Sequence, residues 1–120
     1  MAVSAVRDNE VFIQAGQSAS NPINLEDGLR LFGALFQADW VEANLAPQMS
    51  LDDGVSWKFI TRKGVHNVIS AIANECCMVD NPVDFAVFPS FRFASVSKTD
   101  NTTPVVQTTQ QKLELICRML

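Results

Sequence analysis

The sequence has no hydrophobic run that is long enough to cross a membrane. Its most apolar stretches are interrupted by Asp, Glu, Asn or Arg well before the ~20 residues that a membrane-spanning helix requires. The first ten residues, MAVSAVRDNE, also lack the apolar segment of a secretion signal. We therefore expect a soluble, cytoplasmic protein with no membrane partner.

Cysteine and histidine are scarce, and their spacing does not suit a metal site. The three cysteines are an odd number and two of them, Cys76 and Cys77, are adjacent, unlike the even, spaced pattern of disulfide-stabilised secreted proteins. A closed zinc site needs four suitably spaced nitrogen or sulfur ligands, and His66 is the only histidine. We expect no metal and no other cofactor, and we interpret the cysteines as small buried hydrophobic residues.

The sequence also lacks the motifs of nucleotide-binding and acid–base sites. The five glycines fit neither GxGxxG nor GxxxxGK[ST], and the acidic residues give no recognisable catalytic pair. Gly28 and Gly33 fall within a predicted helix, where they indicate a close contact with a neighbouring helix. We therefore expect a non-enzymatic protein with no catalytic residue.

Composition and charge describe an acidic protein with enough apolar residues for one core. The chain has 120 residues, of which 48% are hydrophobic, and a formal net charge of -4. We expect a single compact domain over residues 1–120, with about ten frayed residues at the N-terminus. Eight acidic and two basic residues lie in 1–53, against five acidic and seven basic residues in 54–120. Such asymmetry can bring an acidic surface of one molecule onto a basic surface of its neighbour.

The hydrophobic pattern predicts an α+β fold, with about three helices on a small sheet. Asn24 is a suitable N-cap for the first helix, and Val65, Val68, Ile69 and Ile72 show helical spacing in the second. The predicted helices lie near 25–45, 64–79 and 104–120, and the predicted short strands lie near 10–15, 55–60, 84–88 and 91–97.

The first predicted helix is apolar on two sides, which one small domain would not cover completely. An apolar stripe left exposed is typical of an interface. We predict that the interface contains Leu31, Leu35, Phe36 and Trp40. The preferred function is thus a protein–protein interaction or assembly module, either binding a protein partner or self-associating as a homo-oligomer.

A second hypothesis is nucleic-acid binding by a basic and aromatic segment. Single-stranded nucleic acid is bound by positive charge together with aromatic stacking. The candidate residues are Trp57, Lys58, Arg62, Lys63 and Arg92. The protein would then be a small viral or phage nucleoprotein or structural protein. In the competing interpretation, Trp57 and Phe59 point into the core and Lys58 is simply solvated.

One short run resembles a known family. Phe91-Arg92-Phe93-Ala94-Ser95-Val96, followed by Thr102-Thr103-Pro104-Val105, is similar to a stretch in the coat proteins of flexible filamentous plant viruses. The aspartate of that family's aromatic motif is missing, since Arg92 and Ala94 stand where it would be sought. The likeness covers about a sixth of the chain, and no functional residue is transferred from it.

Overall fold

A computed structural model describes residues 3–5, 11–23, 29–84 and 90–119, and every regular element within these ranges is a β-strand. No helix that could span a membrane is found in the same ranges. The strands are β1 (Val3–Ala5), β2 (Val11–Ile13), β3 (Leu29–Leu35), β4 (Asn44–Ser50), β5 (Lys58–Phe59), β6 (Thr61–Arg62), β7 (Val65–His66), β8 (Cys76–Asp84), β9 (Ser90–Val96) and β10 (Gln111–Met119).

Most strands belong to two antiparallel sheets. The first sheet has the order β1-β10-β3-β8, and β2 pairs with the part of β10 that β1 leaves uncovered. The second sheet has the order β5-β4-β9. Residues 19–23 extend the second sheet on the other side of β9, through bridges from Ala19 to Ala94 and from Ile23 to Phe91. β6 and β7 form a separate hairpin.

The strand pairs are nested along the chain. The N-terminal strands β1 and β2 pair with the last strand, β10, while residues 19–23 pair with β9. Inside these pairs, β3 pairs with β8, and β4 pairs with β5. A chain that folds back on itself in this way, with its pairs divided between two facing sheets, has the topology of a jelly roll.

The main hydrophobic core fills the space between the two sheets. Strand alternation explains its composition, since Leu113, Leu115 and Cys117 of β10 face the core while the intervening residues face outward. Ile69 joins the sheets along one side by bridging Leu45 of β4 and Val79 of β8. The largest buried side chains are Phe36, Phe91, Phe93, Ile13, Ile23, Leu31, Leu45, Ile69 and Leu115.

A smaller hydrophobic cluster covers the other face of the second sheet. Ala46 of β4 and Ala94 of β9 are paired neighbours there, and they are packed with Val96 and Val68. Phe59 lies against this cluster. The chain between β4 and β8 therefore crosses the outside of the second sheet, whereas among the described residues the first sheet has an open outer face.

The α+β prediction is wrong, and its first helix shows why. Residues 24–28 lie outside the described residues, but the rest of the region predicted as helix 25–45 forms β3, a connection and the start of β4. In β3 an irregularity between Leu31 and Gly33 interrupts the alternation of inward and outward residues. The sequence of the strand is therefore a nearly continuous apolar run. Such runs cannot be distinguished from a buried helix by their spacing. The fold class is therefore corrected from α+β to all-β for the described residues.

The other two predicted helices are also β-structure. The region near 64–79 contains β7, the bridging residue Ile69 and the start of β8, and the region near 104–120 contains β10. In β10 the pattern Lys112-Leu113-Glu114-Leu115 alternates strictly, and this alternation outweighs the helical spacing of the same apolar residues.

The predicted strands, which rest on short apolar runs, agree with the structure better than the predicted helices do. The strands predicted near 10–15 and 91–97 correspond to β2 and β9, and the strand predicted near 55–60 includes β5. Residues 85–88 of the strand predicted near 84–88 lie outside the described residues, and β8 ends at Asp84. Within the N-terminal segment that the sequence predicts to be frayed, Val3–Ala5 form β1, while residues 1–2 and 6–10 are outside the described ranges.

Candidate functional site

The outer face of the first sheet carries apolar side chains that are exposed. On β8, Cys77 and Val79 are buried, so the alternating residues Cys76 and Met78 face outward; Met78 is 55% exposed. At the end of β3, Leu35 is 41% exposed. Ile116 of β10 lies between buried Leu115 and Cys117, and it is half-buried on the outer side.

The pairing register brings these residues together. Leu35 pairs with Glu114 on one side and Cys76 on the other, and Gly33 pairs with Ile116 on one side and Met78 on the other. Directly paired residues have Cβ atoms about 4.5–5.5 Å apart, so each row is one contiguous surface. We call the surface formed by Leu35, Cys76, Met78 and Ile116 the apolar face.

Gly33 lies at the centre of the apolar face, where the backbones of β3 and β8 approach closely. A Cβ atom at this position would lie 2.3 Å from the carbonyl oxygen of Cys77. The glycine therefore permits an irregular register, which shifts between Leu31 and Gly33. The close contact that the sequence predicts at Gly33 exists, but it joins two strands instead of two helices.

A shallow cavity adjoins one end of the apolar face. Its volume is about 230 Å³, and it is lined by Leu35, Phe36, Gln37, Asn74, Lys112 and Glu114. Leu35 and Glu114 thus belong both to the cavity and to the outer row of the sheet. The apolar face is continuous with a depression that has charged groups on one wall.

The structure divides the four residues of the predicted interface. Leu31, Phe36 and Trp40 are buried in the core, at 0%, 2% and 6% exposure. The Phe36 and Trp40 rings pack at 4.8 Å between centroids, and the indole N–H of Trp40 donates to the carbonyl oxygen of Ala43 at 3.1 Å. Only Leu35 of the four is exposed.

Two residues of the predicted nucleic-acid site come together on the outside of the second sheet. The guanidinium carbon of Arg92 lies 4.7 Å from the centroid of the Trp57 ring, in a cation–π contact. The Arg92 Nε donates to the Gln48 Oε1 at 2.6 Å, and burial lowers the pKa of Arg92. One face of the Trp57 ring is therefore already covered by a neighbouring side chain.

The other basic residues of the predicted site are exposed. Lys58 is exposed on β5, while Arg62 and Lys63 lie at the tip of the β6–β7 hairpin. The φ angles of Lys63 and Gly64 are 52° and 78°, which is typical of a two-residue type I′ turn. Phe59 contacts His66 at 5.4 Å between ring centroids and so connects the hairpin to β5.

The cysteines occupy two different environments, and the prediction that they are buried is wrong for Cys76. Cys76 is exposed on the apolar face, whereas Cys77 and Cys117 are buried. Burial raises the pKa of the Cys117 thiol to about 12, so this thiol stays protonated at neutral pH. Within the described residues, no three His, Cys, Asp or Glu side chains form a group that could hold a metal ion.

Comparison with protein families, curated proteins and solved structures gives no match.

Proposed function

We propose that this chain is a non-enzymatic assembly module that self-associates through the apolar face. The observation that carries this proposal is the exposure of Leu35 and Met78 close to Cys76 and Ile116 on one face of the first sheet. Soluble monomers rarely keep a contiguous apolar patch larger than a few hundred Å² unless it forms an interface. A second copy of the chain would remove these side chains from water.

The shape of the surface supports the same proposal. A sheet offers a preformed surface, and β3 lies in the middle of it, between β10 and β8. Association would therefore need little ordering of loops, which lowers its entropic cost. Jelly rolls also serve as building blocks of assemblies such as viral capsids. That comparison is an analogy of fold, and the apolar face is the feature on which the proposal depends.

Leu35→Glu provides the direct test. The wild-type chain should form a dimer or larger assembly at about 100 μM, and the variant should shift toward monomer by at least tenfold in dissociation constant. The reason is that a carboxylate would have to lose its water inside an apolar interface. Size-exclusion chromatography with light scattering measures the mass against 13.2 kDa for one chain.

Val65→Glu is the matched control. Val65 is 68% exposed, but it lies on the β6–β7 hairpin, away from the first sheet. The control should associate like the wild-type chain. A wild-type mass of 13.2 kDa at this concentration, in both low and moderate salt, would refute self-association.

A second candidate function is binding of single-stranded nucleic acid by the β6–β7 hairpin. The observation that favours it is the exposure of Arg62 and Lys63 at a hairpin tip, next to exposed Lys58 in the chain. Phosphate contacts of this kind bind any sequence and weaken with salt.

Replacing Arg62 and Lys63 by Ala should weaken binding to a single strand and reduce the salt slope by about 0.7 for each phosphate that is no longer neutralised. Filter binding over a range of salt concentrations measures both quantities. Lys98→Ala is the control, because the Lys98 ammonium already lies 3.8 Å from the Glu42 carboxylate. If the wild-type chain retains no single strand even at low salt, this second function is excluded.

A further inference from the structure

Arg92 is a partly buried cation on the outer face of the second sheet, and its side chain is held in one orientation. Its Nε donates to the Gln48 Oε1 at 2.6 Å, and the Trp57 ring covers one face of the guanidinium at 4.7 Å. Gln48 is only 6% exposed, so the acceptor is itself fixed in the sheet. The bond to Gln48 uses Nε alone, and the N–H groups of the two terminal nitrogens are not part of it.

The residues around Arg92 on this face carry no charge. Gln48 lies directly opposite on β4, and the outward neighbours on both strands are serine and alanine. Residues 19–23, on the other side of β9, contain no charged residue. Asp52, at the end of β4, accepts hydrogen bonds within its own turn, and Arg92 forms no ion pair with any residue that the structure describes. A partly buried charge without a counter-charge is unfavourable, so Arg92 is suited to an anion from outside the chain.

The chain around this face is basic, although the protein as a whole is acidic. Residues 54–74 and 90–99 contain no Asp or Glu, and they hold five of the nine Lys and Arg residues. The first segment includes β5 and the β6–β7 hairpin, and the second includes β9, so the two acid-free segments meet on the outside of the second sheet. A surface region of one charge sign attracts a polyanion, and phosphate groups in a row are the commonest polyanion.

We propose that Arg92 binds a phosphate group of a single-stranded nucleic acid through its two terminal nitrogens, and that Trp57 is a positioning residue that holds the guanidinium for this contact. This inference rests on the second candidate function and adds to the hairpin a fixed phosphate site on β9. Two parallel N–H···O bonds from one guanidinium match the spacing of two phosphate oxygens. Because the side chain is oriented before the ligand arrives, little conformational entropy is lost on binding.

Arg92→Lys tests the phosphate contact, because lysine keeps the charge and removes the parallel pair of bonds. R92K should weaken binding of a thymidine oligonucleotide about fivefold, while the salt slope stays that of the wild-type chain because the phosphate is still neutralised. R30K is the matched control, since it makes the same substitution on β3 of the first sheet, and it should change the affinity by less than about twofold. Filter binding over a range of salt concentrations measures affinity and slope, and circular dichroism shows that each variant is folded.

A double-mutant cycle tests the role of Trp57. W57L should weaken binding by several fold in the wild-type chain, and W57F should restore most of the affinity because a phenyl ring also packs against a guanidinium. In the R92K background W57L should have almost no further effect, since the ring acts through the guanidinium. An equal loss on W57L in both backgrounds would mean that the ring stacks on a base and would overturn the positioning role.

Nuclear magnetic resonance gives a measurement that needs no variant. The Arg92 Nε–H signal of the wild-type chain should shift when the oligonucleotide is added, and also with inorganic phosphate, more than with acetate at the same ionic strength. An unchanged Arg92 signal in the presence of bound oligonucleotide overturns the proposal, even if R92K does not fold.

The outcomes also separate this site from the hairpin. If replacing Arg62 and Lys63 by Ala weakens binding but R92K does not, the hairpin binds the strand alone and the Arg92 site is wrong. If the wild-type chain retains no strand at all, the second candidate function and this proposal both fail. A shift of the Arg92 signal with inorganic phosphate alone would then identify a site for a small phosphorylated molecule in place of a nucleic acid.

Discussion

At the scale of single residues, Gly33 shows how the absence of one side chain determines the shape of the apolar face. The absence of a side chain lets β8 approach β3 and places Ile116 and Met78 on either side of one bare position. The sequence identifies Gly33 as a point of close contact, because glycine is unfavourable inside a regular element unless something lies against it. It does not identify the partner, because Cys77 and Gly33 are brought together only through the register of two distant strands.

Gly33→Ala should therefore destabilise the fold. The added methyl group would lie 2.3 Å from the carbonyl oxygen of Cys77, and both groups belong to paired backbones that cannot move independently. Overpacking of this kind lowers the free energy of unfolding by about 1–3 kcal/mol. Urea denaturation measures the change. Asp80→Glu adds one methylene group at an exposed position of β8 and should change stability by less than about 0.5 kcal/mol. Equal stability of the two variants would contradict this account.

At the scale of elements, β4 shows why a strand could not be recognised from its sequence. Pro47 lies in the middle of β4, a strand that has neighbours on both sides. Leu45 exchanges both of its backbone hydrogen bonds with Ile69, at 3.0 and 2.8 Å, so its N–H points away from β9. Two residues on, the nitrogen of Pro47 points the same way, into the gap between Ile69 and β5. The missing N–H thus costs no bond to β9, and Pro47 can still pair with Phe93.

The candidate site is also only partly predictable, because it depends on pairing between strands that are distant in the sequence. The sequence places Leu35 in an interface only as part of an apolar stripe on a helix that does not form, and the same stripe includes Leu31, which is buried. The basic residues are found from their charge alone, which the sequence shows directly.

The sequence does not predict that Met78 and Ile116 belong to the site, because they lie near Leu35 only through the pairing of β3 with β8 and β10. For Ile116 the available signal is the alternation of Lys112-Leu113-Glu114-Leu115, which predicts a strand whose outer side continues with Ile116. The run Cys76–Val79 is apolar at every position and gives no such signal for Met78. The order of those strands in the sheet has no local signal.

At the scale of the whole molecule, two carboxylate-capped turns lie at opposite ends of the second sheet. Asp52 follows the end of β4, and its carboxylate accepts hydrogen bonds from the Ser56 N–H at 2.9 Å and the Ser50 hydroxyl at 2.8 Å. Asp100 follows the end of β9 and accepts from the Thr102 N–H, also at 2.9 Å. Since β4 and β9 are antiparallel, the two turns close the sheet from both ends.

These contacts predict a loss of stability in acid. Hydrogen bonds, chiefly from Ser56 and from Thr103, lower the pKa of Asp52 and of Asp100 to about 2, below the ordinary value of 3.8. Because the folded-state values are depressed, the stabilisation is present above about pH 4 and is lost as the pH falls toward 2. The melting temperature should fall over this interval, and the double variant D52N/D100N should show a shallower fall. D53N removes a neighbouring carboxylate that caps neither turn and should keep the wild-type pH profile. If D52N/D100N and the wild-type chain lose stability in parallel over this interval, the two turns do not carry the acid sensitivity of the fold.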